Sequence, residues 1–235
     1  MLKSYASDRP LVLLGAGGHA RVLLALVRAS GRALLGVCDP ALQAQGRGDW
    51  EGVPVLGGDE ALDRLGPARV DLALGVGQLA RSGLRSRLYV AWSARGYAFP
   101  ALVHPAAWVA PDVTLGDGVQ IMAGAVVQPG SVLGTNVTVN THASVDHDCR
   151  IGADVHIAPG AVLCGAVQVG DGAFIGAGAV LIQGLRVGAA AVVGAGVTLV
   201  RDLAPGALIV GPANRLLDTD PGLAGPMRET GPSQR

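Results

Sequence analysis

From Val109 to Leu199 every sixth residue is aliphatic, through Leu115, Ile121 and Val127 to Val187 and Val193, sixteen positions without an exception. Four places after each stands another small or aliphatic residue, as at Ala125, Ala143, Cys149, Ala161 and Ala173. A six-residue period matches neither a helix, at 3.6 residues per turn, nor a hairpin meander. It suits short strands separated by tight turns. Three such strands close a triangular coil of 18 residues, with the aliphatic residue inside each strand and the small one near the corner. Sixteen hexads predict a parallel β-helix of a little over five coils with no interrupting loop. Glycine often follows the aliphatic position, as at Gly116, Gly134, Gly152, Gly170 and Gly188, and is read as a turn residue.

The pattern changes upstream. "PLVLLGAGGHARVLLALVRASG" is a short apolar run, a glycine-rich turn, then helical periodicity through Val22, Leu23, Leu26 and Val27. "ALLGVCDP" predicts a second strand ending at Asp39, and "VDLALGVG" a third ending near Gly75. This is a Rossmann-like βαβ order, a small parallel sheet with nucleotide-binding character. Gly15, Gly17 and Ala20 match G-x-G-x-x-A, and Asp39 lies where an acid can meet a ribose hydroxyl. Only about a hundred residues precede the repeat, half of a dinucleotide fold, which favours a mononucleotide over a nicotinamide cofactor. The proline-marked stretch Gly96–Pro111 is expected to connect the two parts. The domains so read are 1–100, 101–215, and a C-terminal tail, 216–235.

Composition agrees. The chain of 235 residues is 50% hydrophobic but 3% aromatic, with 36 glycines, so small side chains fill a narrow interior. Eighteen basic and eighteen acidic residues give no net charge, and Lys3 is the only lysine. No global field recruits nucleic acid or an anionic membrane. Cys38, Cys149 and Cys164 form neither an even set nor a CxxC pair, and no stretch approaches eighteen consecutive apolar residues. The expectation is a cytoplasmic protein without disulfide framework or membrane span.

Against this apolar repeat, "ASVDHDCRIG" stands out. His147 is the third residue of its hexad, outside both inward-facing series. One coil beyond it lies Gly165, which leaves room for a ligand beside the ring; one coil before lies Pro129. Cys149 belongs to the small corner series, so packing is its role. Asp146 reads as a turn residue. Asp148 can reach His147 only at a corner, since neighbours on a regular strand face opposite ways. His104, before Pro105, reads as structural. His142 and Asn140 are candidates for lining a site. Histidine spacings of five and nine, from His142 to His147 to His156, are not a common metal pattern, and no metal is expected.

Taken together, "GAGGHAR", "VDHDC", "IGADVHIAPGA", "VVGAGV" and the ending "GPANR" resemble the NeuD/PglD family of sugar acyltransferases over roughly residues 10 to 215. The resemblance implies a left-handed β-helix, acetyl-CoA as cosubstrate, and a homotrimer with sites between subunits. It assigns His147 as general base, Asp148 as the acid that raises its basicity, and His156, Gly165, Ala177 and Ala195 as contacts to acetyl-CoA. It places the nucleotide-sugar at Gly17, Gly18, His19, Asp39 and Gly75. Two stretches depart from the family pattern: Gly75-Val76-Gly77-Gln78, followed by Arg81, Arg85 and Arg87, and the closing Gly211-Pro212-Ala213-Asn214-Arg215. The leading expectation is N-acetylation of the 4-amino group of a nucleotide-linked sugar. The alternatives are O-acetylation of a sialic-acid-like sugar and a non-catalytic protein using the β-helix as a spacer.

Overall fold

The computed structural model describes residues 8–211. Pro212–Arg215 of the closing motif and the expected tail 216–235 lie outside the described residues.

The N-terminal unit holds five strands: β1 (Leu11–Leu14), β2 (Leu34–Cys38), β3 (Asp49–Trp50), β4 (Val53–Gly57) and β5 (Asp71–Leu74). Their order is β3-β4-β2-β1-β5, parallel except for β3. Helices α1 (Gly18–Ala29), α2 (Pro40–Ala44), α3 (Asp59–Leu65) and α4 (Leu84–Ala94) alternate with the strands. β1 is wholly buried because both faces of the sheet are covered. On one side Leu23, Leu26 and Val27 of α1 pack with Leu102 and Met122 from the start of the β-helix. On the other, Leu62 of α3 and Trp92 of α4 pack with Val12 and Leu72. The β3–β4 hairpin, which turns at Gly52, adds two strands to the expected three. Pro54, opposite Asp49 on that antiparallel ladder, breaks the strand pattern in the sequence, since proline is confined to edges and strand starts.

From Leu102 the chain winds as a left-handed parallel β-helix of two-residue strands with three flat faces. Face 1 runs from Leu102–Val103 through Gln120–Ile121, Thr138–Val139 and His156–Ile157 to Leu208–Ile209. Face 2 runs from Trp108–Val109 through Ser144–Val145 and Val162–Leu163 to Thr198–Leu199, and face 3 from Thr114–Leu115 through Arg150–Ile151 to Arg186–Val187. The ladders pair residues 18 apart, as Ser144 with Val162 and Val145 with Leu163, except at the last coil, where Val192 meets Leu208 and Val193 meets Ile209 with a spacing of 16. Both inward series are buried: Val145, Leu163, Ala143 and Cys149 are fully inaccessible. The expected connection Gly96–Pro111 already contains the first strands of faces 1 and 2. Its Pro105 falls at a corner between them, outside the ladders.

The glycines after the aliphatic positions have a different cause from the turn role expected of them. None of Gly116, Gly134, Gly152, Gly170 or Gly188 has a positive φ. A Cβ at Gly134 would come within 2.7 Å of the Ala153 nitrogen in the next coil, so close stacking of the backbone excludes a side chain. The left-handed residue of each corner lies two places later. Gly118, Gly124 and Gly130 hold it, then Asn136, His142, Asp148 and Asp154 in succession, then Gly160.

The two units are joined by side chains. Asp154 accepts from Ser86 Oγ (2.8 Å) and Asn136 Nδ2 (2.6 Å) through its carboxylate, and from Gln78 Nε2 (2.9 Å) at its carbonyl. Gln120 on face 1 bonds His19 (2.8 Å) and donates to the Leu74 carbonyl (3.1 Å). Arg85 of α4 is buried and donates to the carbonyls of Leu74 and Val76.

Candidate active site

His147 and Asp148 sit on the corner between faces 2 and 3, both exposed. Asp148 occupies the left-handed position of that corner (φ 58°), which turns its carboxylate to the same side as the preceding imidazole. Asp148 Oδ2 lies 2.9 Å from His147 Nδ1. The hydrogen bond to Asp148, and then the negative charges of Asp146 and Asp148, raise the His147 pKa above its ordinary value. With Nδ1–H donated to Asp148, Nε2 carries the free lone pair. The space expected beside the ring is occupied by the ring itself: a Cβ at Gly165 would lie 2.5 Å from Nε2. Asp146 Oδ1 accepts from the His147 backbone nitrogen (2.7 Å), the geometry of a turn residue. Cys149 is buried and its thiol pKa is pushed up to about 11 by that burial, which keeps it protonated. Beside His147, on face 2, a shallow groove of about 160 Å³ is lined by Val126, Ser144, Asp146, Val162 and Cys164.

Asn140, His142, Ala177 and Ala195 fall on another corner, between faces 1 and 2. Asn140 caps its own turn, its Oδ1 accepting from the Thr141 nitrogen (2.8 Å). His142 leans over Gly124 as His147 leans over Gly165. Ala177 and Ala195 are exposed. Gly165 is therefore separated from the two alanines by the width of face 2. That face carries a largely apolar outward column, Trp108, Val126, Val162 and Val180 interrupted by Ser144 and closed by Thr198, with Trp108 half exposed.

The glycine-rich turn and the end of β5 enclose a cavity of about 360 Å³ lined by Gly15–His19, Asp39 and Gly75–Leu79. It lies at the carboxyl end of the parallel strands, between β1 and β5, where the strand order reverses. Gly17 caps α1 without a side chain, and no atom lies within 4 Å of where its Cβ or that of Gly18 would be, so the helix N-terminus faces the cavity. Gly75 serves packing: its Cβ would meet the Gly15 carbonyl at 2.5 Å and Ala20 Cβ at 2.8 Å. Asp39 is engaged by the protein on both oxygens. Oδ1 accepts from Ala41 and Leu42 at the start of α2, and Oδ2 from Ala16 (2.9 Å). It braces the glycine-rich turn while still lining the cavity.

His156 is far from His147 within the protomer. It lies on face 1 under the N-terminal unit, 6% exposed, stacked on Phe174 with ring centroids 5.1 Å apart. Around it, Arg85 Nε and Nη2, Gln78 Oε1, Asn136 Oδ1, Thr138 Oγ1 and His156 Nδ1 have no protein partner among the described residues. Asp154, Gln120 and Arg85 escape sequence reasoning that looks for histidine and acid motifs. One signal is present for Asp154: it ends the run Asn136, His142, Asp148, Asp154 at corner positions otherwise held by glycine or alanine.

Burial lowers the pKa of both His19 and His156 to about 4. The Arg85 charge adds to this at both residues, as does His19 at His156. Both are neutral in the folded protein at pH 7 and protonate near 6.5 when unfolded, so stability is expected to fall as pH drops from about 6.5 towards 4. Thermal denaturation at pH 7.5 and pH 5.0 checks this. We expect Tm at pH 5.0 to be lower by about 5 °C or more, with the difference reduced in His156→Phe.

Among the described residues no three His, Cys, Asp or Glu side chains converge as metal ligands, and no helix is long and apolar enough to cross a membrane.

Comparison with known proteins covers both units. Residues 10–88 match the family model of the PglD N-terminal domain. Residues 112–147 and 148–183 match the bacterial transferase hexapeptide (six repeats), and 166–201 the hexapeptide repeat of succinyl-transferase. Among solved structures, the acetyltransferase domain of PglB from Neisseria gonorrhoeae FA1090, in complex with acetyl coenzyme A, is 39% identical. The match covers 89% of this chain and all of that one, with a TM-score of 0.81. PerB from Caulobacter crescentus, in complex with CoA and GDP-perosamine, is 37% identical over 87% of this chain and 95% of its own, with a TM-score of 0.79. WeeI from Acinetobacter baumannii AYE is 27% identical over 89% of this chain and all of its own, with a TM-score of 0.76. No curated protein sequence matches.

Proposed function

The chain belongs to the NeuD/PglD-type family of sugar acetyltransferases, and from that premise we propose that it transfers acetyl from acetyl-CoA to the 4-amino group of a nucleotide-linked sugar. The observation that carries this reading is the pairing, in one chain, of a nucleotide-sized cavity at the N-terminus of α1 with an exposed His147–Asp148 pair on the β-helix. PerB is a relative solved with both CoA and a nucleotide-linked sugar, GDP-perosamine.

In this reading the diphosphate meets the backbone N–H groups at Gly17, Gly18 and His19, where helix geometry favours an anion. The sugar extends past Gly75 towards the face that carries His156. The amine nitrogen attacks the thioester carbonyl, and a C–N bond forms as the C–S bond breaks. Nε2 of His147 takes the amine proton, Asp148 stabilises the resulting imidazolium through Nδ1, and the imidazolium returns that proton to the leaving thiolate, which departs as the CoA thiol. A backbone N–H receives the transient oxyanion.

His147 lies on the corner between faces 2 and 3, whereas the nucleotide cavity sits beyond face 1, so one protomer does not bring them together. A threefold assembly that buries the apolar column of face 2 sets the His147–Gly165 corner of one protomer against the Asn140–Ala177–Ala195 corner of the next. Acetyl-CoA then runs between the two corners and reaches His156 of the neighbour. This arrangement gives each expected residue a place that a single protomer denies it.

The test is a panel: acetyl-CoA with UDP-, GDP- and dTDP-linked 4-amino sugars, their 4-hydroxy counterparts and free sialic acid, followed by release of the CoA thiol. Release with an amino sugar and not with its hydroxyl counterpart supports the proposal. Preference for a hydroxyl acceptor replaces it with O-acetylation, and no turnover with any acceptor, joined to no thermal stabilisation by acetyl-CoA, replaces it with a binding role.

A further inference from the structure

We propose that Gly130 is a positioning residue for the His147–Asp148 pair, its bare Cα forming the seat on which the Asp148 carboxylate rests. The inference rests on the reading of His147 as general base. Gly130 stands one coil before Asp148, at the same corner position, with φ +73°, and a Cβ placed on it would lie 2.5 Å from Asp148 Oδ1. Its peptide groups are held on both sides: the nitrogen donates to Asp112 Oδ2 (2.8 Å) and the carbonyl accepts from Arg150 Nη1 (2.6 Å). The preceding carbonyl, of Pro129, accepts from the Asp148 nitrogen (3.0 Å). The pair is thus seated on two glycines from flanking coils, Asp148 over Gly130 and His147 over Gly165.

A left-handed φ by itself does not demand glycine here. Ala166 and Ala190 hold the same corner position at φ 58° and 55°, Ala166 directly one coil beyond Asp148. What distinguishes Gly130 is the space. At Gly160, Gly172, Gly178 and Gly184, with φ between 64° and 73°, an added Cβ would meet nothing within 4 Å. At Gly130 the carboxylate of Asp148 fills that place. Ordinary contacts begin near 3.4 Å, so an alanine forces the carboxylate to retreat. Displacements on the order of 1 Å in a catalytic arrangement cost up to about 10²-fold in rate.

The test compares Gly130→Ala with Gly172→Ala, which carries the same backbone strain without a neighbour to displace. The readouts are kcat and the pH profile of kcat/KM. The acid limb of that profile reports protonation of the base in the free enzyme. The groups that face His147 are Asp146 and Asp148, and the bond to Asp148 is the larger influence on it. Gly172→Ala is expected to match the parent protein. Gly130→Ala is expected to lower kcat by about 10-fold to 10²-fold, to move the acid limb down towards about 6.5, and to add nothing further in an Asp148→Asn background. If Gly130→Ala does not fold, Gly130→Asn with Gly172→Asn as its control asks the same question, since asparagine tolerates the left-handed region and already occupies it at Asn136.

A Gly130 variant that keeps both the parent kcat and the parent acid limb overturns the inference, as does a loss that multiplies independently with Asp148→Asn. Should His147→Ala itself retain kcat, the base assignment fails. Should His147→Ala be inactive while Gly130→Ala behaves as Gly172→Ala does, only the role of Gly130 fails.

Discussion

Replacing His147 by alanine is expected to lower kcat for acetyl transfer by about 10² to 10⁴, the range general-base catalysis contributes, while leaving the protein folded. The fold should tolerate the change because the side chain is exposed and lies outside both buried series of the β-helix. Asp148→Asn is the finer probe. It removes the carboxylate that holds Nδ1–H, so the imidazole loses both its fixed tautomer and the largest influence that raises its pKa. The acid limb of kcat/KM is expected above the ordinary histidine value in the parent and should move back towards it in the variant. The sign follows from the base being active when neutral: a raised pKa protonates it at higher pH, and losing the carboxylate reverses this. A steady-state pH series on the two variants and the parent checks both effects. Near-parent kcat in His147→Ala would remove the base from the mechanism.

Gly75→Val is expected to destabilise the N-terminal unit by about 1–3 kcal/mol, the usual cost of overpacking, and to weaken nucleotide-sugar binding by at least about tenfold. The β-carbon would meet a backbone carbonyl at 2.5 Å and Ala20 at 2.8 Å. Neither can yield without parting the turn after β1 from the end of β5. Those two segments are the walls of the cavity, so stability and binding fail together. Thermal denaturation with and without nucleotide-sugar separates the two losses, and unchanged ligand stabilisation would contradict the role given to this cavity.

The β-helix was legible in the sequence because one physical constraint repeats: a narrow triangular interior admits an aliphatic residue at each strand and a small one at each corner. Counting in sixes finds it, and counting in eighteens places His147 over Gly165, as the ladder of Ser144–Val145 on Val162–Leu163 shows. The glycine-rich turn was legible for a similar reason, since Gly15 and Ala20 stand where β1 and β5 approach closely, while Gly17 leaves the helix N-terminus open to the cavity. Register does not report which way a ring leans, so the room expected beside His147 belongs to His147 itself. It also does not separate corners. His147 and His156 are nine residues apart, one and a half six-residue repeats, which carries them to different sides of the prism. The hairpin at Gly52 was hidden because its strands are short and Pro54 interrupts their pattern, and the Asp154 lock because it is set by contacts between distant segments: Asp154 meets Ser86 and Gln78, more than sixty residues away.

In the proposed assembly His147 of one protomer meets the nucleotide cavity of the next, and mixed assemblies test this most directly. Gly17→Val fills the cavity mouth at a position with φ −81° and open space around its Cβ, so this protomer should fold yet lose its acceptor site. His147→Ala protomers lose the base. Each alone should be inactive; co-assembled in equal amounts, with mixing verified by native mass spectrometry, they should regain activity at about one site in four, as random threefold assembly requires. Mixed assemblies that remain inactive would show that each site is completed within a single protomer, and would contradict the account.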